Sequence, residues 1–260
     1  MQQYIRSLQS EWIKTRRSTA SWLVIIGAFF IPLIMVAMRL IKYKQLPAIY
    51  KSADFWERTF VQNWQVMAFF LLPMGVILAT SLITQLEYRN NTWKQLHTTP
   101  HRYSTIFFAK LTVIILMMLQ FFVLFNIGIY LSAAIPALLI KGIPLPLKSF
   151  PYLFFLNTNA KFFVDCLPII ALQYLVSLQF KNFLVPLGFG IALLGAATFA
   201  VSWQYGYIIP YTYCLFNFFQ MSAIKETAVV WVNIHWIAFG YFVVGIIVSY
   251  ILYINKSDKC

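Results

Sequence analysis

Apolar runs long enough to cross a bilayer recur along the chain, and the charged residues fall mostly between them. A helix needs about 20 apolar residues to span the hydrocarbon core. Runs of that order predict spans at Thr19–Met38, Trp64–Leu86, 111–135, Phe162–Phe180, Phe183–Trp203 and Trp236–Ile254. The third run stays uncharged for 30 residues, from Leu111 to Ile140, which leaves length for tilt or for passage beyond the lipid. Only Lys181 and Asn182 separate the fourth span from the fifth, so these two form a tight helical hairpin. The first run exceeds the apolar core of a cleaved signal peptide and no A-x-A site follows it, so it is expected to be retained. An even number of spans puts both termini on one side.

The connecting segments differ in kind. In residues 1–18, Ile5, Leu8 and Trp12 recur at i, i+3 and i+7, with Arg6, Gln9, Lys14 and Arg17 off that stripe. Such a segment lies in the membrane interface as an amphipathic helix. The stretch Pro136–Pro151 holds four of the 11 prolines and cannot be regular helix throughout. Gln204–Ile234 is dense in Tyr and Phe and carries only Lys225 and Glu226 as charges. It is too aromatic for a solvated loop and reads as short interfacial or re-entrant helices. The predicted fold class is thus an all-α integral membrane protein, residues 1–260 forming a single transmembrane domain. It has six transmembrane helices, an N-terminal interfacial helix, and short re-entrant helices between spans five and six. No internal repeat is visible.

Composition sharpens this. The chain is 61% hydrophobic and 10% charged, with a mean hydropathy of +0.73. Soluble domains lie near 45–50% apolar and about 25% charged. A net charge of +13 would ordinarily raise nucleic acid as a partner. Here the charge sits in short segments between apolar runs, so membrane lipids are the partner and no nucleic acid is expected. With the N-terminus inside, eleven Lys and Arg fall on the cytoplasmic side and nine outside, a weak orientation signal. Cys166, Cys214 and Cys260 form no disulfide framework, and the first two read as packing residues.

Few residues could carry chemistry. There is no phosphate-cradling G-x-x-x-x-G-K-[ST] run: Gly190 and Gly195 have the glycine spacing, but Ala196 and Ala197 follow. His97 and His101 are four apart, but Pro100 lies between them and no adjacent glutamate supplies a base. No catalytic, cofactor or metal site is expected in this chain. Asp165 is the only carboxylate within a predicted span, and Lys161 one turn earlier permits an interfacial ion pair; a place on a transport path is the alternative. Gln120, Asn126 and Gln173 either line a path or join helices by hydrogen bonds. Gly188, Ala192, Ala196 and Ala200 recur every four residues on one face of the fifth span. Such small-residue faces let helices approach closely, inside the subunit or between subunits.

The loop from Glu87 to Lys110 reads EYRNNTWKQLHTTPHRYSTIFFAK. It is longer than a connection requires. Trp93 and Leu96 are three apart on one side of a short amphipathic stretch, the pattern of anchors for a partner protein.

This loop, the basic amphipathic N-terminus and the six spans together resemble the ABC-2 type permeases, the membrane subunits of ATP-binding-cassette transporters. The members most similar are small permeases of bacteriocin and lantibiotic self-protection and of multidrug or lipid export. The resemblance covers essentially the whole chain. Glu87, Thr92, Leu96, Pro100, Arg102 and Lys110 match the loop pattern, while Asn91 stands where a glycine is frequent. It implies that residues 87–105 hold a coupling helix, with Glu87, Arg89, Thr92, Trp93, Leu96, Pro100 and Arg102 docking on a separate ATPase subunit. ATP and Mg would bind in that partner. The helix at residues 1–18 would lie near it. A second copy, or a related permease, would complete a dimer with the substrate path between the two. The termini would be cytoplasmic and the membrane the bacterial inner membrane. The cargo would be an amphipathic peptide, lipid or drug-like molecule. Two other classes are consistent with composition alone: a channel or structural membrane protein without a motor, and an intramembrane lipid-modifying enzyme.

Overall fold

The structure is a computed structural model and describes residues 2–89, 103–140, 145–146, 149–222 and 233–257. Among these it is helical, with no strand. The elements are α1 (Gln2–Arg16), α2 (Thr19–Ile41), α3 (Leu46–Tyr50), α4 (Phe55–Val66), α5 (Leu72–Arg89), α6 (Tyr103–Leu139), α7 (Tyr152–Gln179), α8 (Leu184–Ala200), α9 (Tyr213–Ser222) and α10 (Ile234–Ser257). A π-helical turn, Met67–Leu71, joins α4 to α5 in one continuous element. Its cause lies in the sequence. Pro73 has no N–H to give to the carbonyl four residues earlier, and its ring needs room there. The wider turn, closed by Leu72 N–H on the Met67 carbonyl, supplies that room.

Five helices are long and apolar enough to cross a membrane: Thr19–Ile41, Phe55–Leu86, Tyr103–Leu139, Tyr152–Gln179 and Ile234–Asn255. The chain is therefore a multi-pass membrane protein. The helix of the predicted fifth span, α8, has 17 residues. At 1.5 Å per residue that is about 25 Å, short of a hydrocarbon core of about 30 Å.

Three helices begin well before the predicted spans. The second starts at Phe55 rather than Trp64, the third at Tyr103 rather than Leu111, the fourth at Tyr152 rather than Phe162. Each early stretch carries charged residues, which end an apolar run without ending a helix. Charge marks where hydrocarbon stops, not where backbone hydrogen bonding stops.

α7 is the hub. It packs on α5, α6, α8, α9 and α10, and it is the most buried of the five long helices; α2 and α10 are the least. The core is aromatic at one end, where Trp64 stacks on Phe162 with ring centroids 3.7 Å apart. Close crossings fall at glycines. A Cβ on Gly190 of α8 would lie 2.7 Å from Ile77 Cγ2 and 2.8 Å from Gln173 Oε1. Gly190→Val is accordingly expected to cost about 1–3 kcal/mol, read as a lower melting temperature in detergent, whereas Gly195→Ala, with open space at its Cβ, should be neutral.

Candidate functional site

Polar side chains inside the helix bundle gather in distinct clusters, and each ties together elements far apart in sequence. The most buried centres on Asp165 in α7, whose side chain is 0% exposed. Asn217 Nδ2 of α9 donates to Asp165 Oδ2 at 2.7 Å, and His235 Nδ1 of α10 lies 2.7 Å from Oδ1. Both carboxylate oxygens are thus engaged. The helical spacing to Lys161 pointed to an ion pair one turn away, but Lys161 is exposed. The carboxylate takes partners 52 and 70 residues downstream instead. Nothing local in the sequence marks that choice.

The second cluster is built on Gln173. Its Nε2 donates to Ser81 Oγ at 2.8 Å and to the Pro186 carbonyl at 2.7 Å. Its Oε1 accepts from Tyr211 Oη at 3.3 Å. One amide therefore joins α5, α7, α8 and the turn Pro210–Thr212. A backbone carbonyl has two lone pairs, so Pro186 C=O can accept the Gln173 amide whether or not it also takes a helical bond. Asn126 Oδ1 accepts from Asn159 Nδ2 at 2.8 Å, joining α6 to α7. Gln120 is half-buried on α6. Gln173 and Asn126 both make hydrogen bonds that join helices.

The aromatic segment after α8 is folded into the protein. Every residue from Pro210 to Phe218 is buried. Two 3₁₀ turns, Gly206–Ile208 and Pro210–Thr212, lead into α9, which packs on α4, α7 and α10. Cys166 and Cys214 are buried free thiols.

At the other end of the bundle, α1 lies against the start of α6. Tyr4 Oη and Thr112 Oγ1 are 2.8 Å apart. Glu11 is buried, takes Lys14 Nζ at 2.6 Å, and has Lys110 Nζ 4.0 Å from its second oxygen. The face of α1 toward the protein is therefore Tyr4, Leu8, Glu11 and Thr15. Of the apolar stripe, Leu8 and Trp12 pack at the edge of the core while Ile5 stays exposed, as does Ile13. The stripe and the docked face are rotated apart because Glu11 and Thr15 are polar and hydropathy does not see them as buried.

Three of the four residues of the small face of α8 point away from the chain, and the fourth, Ala200, is buried. Gly188, Ala192 and Ala196 are exposed; Pro186, Gly190, Leu194, Ala197 and Ala200 make the inner contacts. Of the loop anchors, Glu87 and Arg89 fall on the last turn of α5. Thr92, Trp93, Leu96, Pro100 and Arg102 lie outside the described residues.

A helical bundle with five spanning helices and an amphipathic N-terminal helix defines a multi-pass membrane protein. Residues 7–197 match the family described as ABC-2 family transporter protein. The match covers well over half of the chain, which belongs to that family: the membrane subunits of ABC transporters, which are not themselves enzymes. No curated protein and no solved structure matches it.

Proposed function

We propose that this chain is the permease subunit of an ATP-driven exporter, working as a dimer coupled to a separate ATPase that holds ATP and Mg. The family match carries the reading. Three features support it. The N-terminal helix and the start of α6 are joined by Tyr4–Thr112 and Glu11–Lys110, and in sequence Trp93 and Leu96 come shortly before α6. Movement imposed on that loop would reach both at once. The exposed Gly188, Ala192 and Ala196 face offers a close-packing surface to a second copy or a related permease. Six spans require that the 17-residue α8 also cross, at the lower limit of helix lengths that do, about 17 residues.

In this reading residues 1–18 lie at the cytoplasmic face of the bacterial inner membrane and both termini are cytoplasmic. The aromatic turns and α9, residues 204–222, enter the opposite face as the re-entrant helices of this reading; residues 223–232 lie outside the described residues. ATP binding closes the ATPases, the coupling loops transmit the motion, and the dimer passes between inward- and outward-facing states of different substrate affinity. Transport is vectorial only because those affinities differ. A ≈520 Å³ groove walled by Trp22, Phe30, Leu71, Met74, Met118 and Phe121 is almost wholly apolar and suits an amphipathic peptide, lipid or drug-like cargo.

The test is copurification with the ATPase followed by reconstitution. Trp93→Ala and Leu96→Asp should reduce transport by about 10-fold or more while hydrolysis persists. Unchanged transport in both, with the ATPase bound, overturns the assignment of the loop.

A further inference from the structure

A cavity of ≈580 Å³ opens where α2 ends, at the opposite end of that helix from α1. Among the described residues its cations are Arg39, Lys42 and Arg58, and no carboxylate lines it. Arg58 is committed to Asp54, with Nε to Oδ2 at 2.6 Å. Arg39 is different. Its guanidinium donates to Ser132 Oγ at 3.2 Å and Thr59 Oγ1 at 2.8 Å, and lies over the Phe55 ring at 5.3 Å. It is held in place by hydroxyls and an aromatic face. Among the described residues, neither Arg39 nor Lys42 has a carboxylate within 4.0 Å. A guanidinium drawn into a protein at a membrane boundary, without an acid to neutralise it, is costly unless an anion completes it.

The rest of the cavity says which anion. One wall is apolar, formed by Met35, Met38, Ile49 and Phe55. Below it, the outer face of α2 shows Ile34 (42% exposed), Met38 (46%) and Ile41 (78%), at i, i+4 and i+7. Acyl chains can follow that apolar face to the cavity mouth, and there the two cations meet the depth of the phosphates. Arginine's forked donors suit a phosphate, which a zwitterionic headgroup also has; the second, uncompensated cation favours a headgroup with net negative charge. We infer that the Arg39–Lys42 cavity is a binding site for the headgroup of an anionic phospholipid.

The probe is the full-length chain in zwitterionic detergent, offered phosphatidylglycerol and phosphatidylcholine at equal concentration, with retained lipid read by native mass spectrometry. Phosphatidylglycerol should be retained about 10-fold over phosphatidylcholine, as expected of one added charged hydrogen bond. Lys42→Glu should abolish that preference. Lys44→Glu makes the same charge change two residues away, outside the cavity, and should keep it. Lys42 is exposed, so its replacement does not endanger folding. Arg39→Gln should also abolish the preference, with the melting temperature measured alongside because of its Ser132 and Thr59 bonds. Millimolar inorganic phosphate should leave phosphatidylglycerol bound. Equal retention of both lipids by the unaltered chain, or equal effects of Lys42→Glu and Lys44→Glu, overturns the site. Displacement by inorganic phosphate overturns the lipid assignment in favour of a soluble phosphate. None of these outcomes depends on transport, so the site and the exporter reading stand or fall separately.

Discussion

His235→Phe is expected to destabilise the full chain by about 3 kcal/mol, and adding Asp165→Asn is expected to recover most of that loss. The reason is asymmetric. Asp165 is wholly buried among apolar side chains of α7, and its two oxygens are held by Asn217 and His235. Phenylalanine fills the imidazole's space but leaves a buried carboxylate with one partner fewer. Removing one partner is costly because the buried oxygen left behind keeps its desolvation penalty without the hydrogen bond. The amide that Asp165→Asn introduces carries no charge and still offers an oxygen to Asn217, so the double variant escapes the penalty. Thermal unfolding in detergent, followed by tryptophan fluorescence, provides the four corners of the cycle. A His235→Phe change within about 0.5 kcal/mol of the unaltered chain, or a double variant no more stable than the single, would show that this cluster does not hold α9 and α10 to α7.

That cluster also marks the boundary of what the sequence reveals. Apolar run length located every long helix, because hydrocarbon thickness sets one requirement for all of them. Helix starts were hidden at Phe55, Tyr103 and Tyr152, where Glu57, Arg58, Lys110 and Lys161 interrupt hydropathy inside continuous helix. Lys110 is the clearest case. As a charge it looks like a span boundary, yet its side chain is 3% exposed because Glu11 of another helix lies beside it. Partners distant in sequence carry no periodic signal. The same applies to Asp165 and His235, and to Gln173, whose hydrogen bonds reach Ser81 and Tyr211. The repeat of Gly188, Ala192, Ala196 and Ala200 was plain, but its direction was not. Leu194 and Ala197 share the inner face with Gly190 only because Ile77 and Gln173 approach there.

Glu11→Ala is expected to release α1 from the bundle while the spans stay folded. Glu11 is the acid at a three-way contact, with Lys14 at 2.6 Å and Lys110 at 4.0 Å. Its own side chain is 7% exposed and that of Lys110 3%. Alanine takes the Glu11 counter-charge away from the buried Lys110 ammonium, a loss of about 1.5 kcal/mol on the scale of a hydrogen bond to a charged group. α1 can relieve it by lifting off, at the cost of the Tyr4 to Thr112 hydrogen bond that also ties it to α6. The loss should therefore appear locally rather than as global unfolding. Trypsin cleavage after Lys14, Arg16 and Arg17 reads the open population, and tenfold in that population corresponds to about 1.4 kcal/mol. Cleavage should rise by about 10-fold or more on that scale, with the melting temperature of the spans little changed. Reversing the pair, Glu11→Lys with Lys110→Glu, keeps attraction between the two positions and leaves Lys14 an acid to meet, so it should restore protection. Faster cleavage in Glu11→Ala without recovery in the reversed pair would place the contact in side-chain shape rather than charge. Unchanged cleavage would mean that the exposed Ile5 and Ile13, seated in the interface, hold α1 without the ionic contact. The outcome decides whether a force arriving at the start of α6 is shared with α1 through Glu11 or passes to α6 alone.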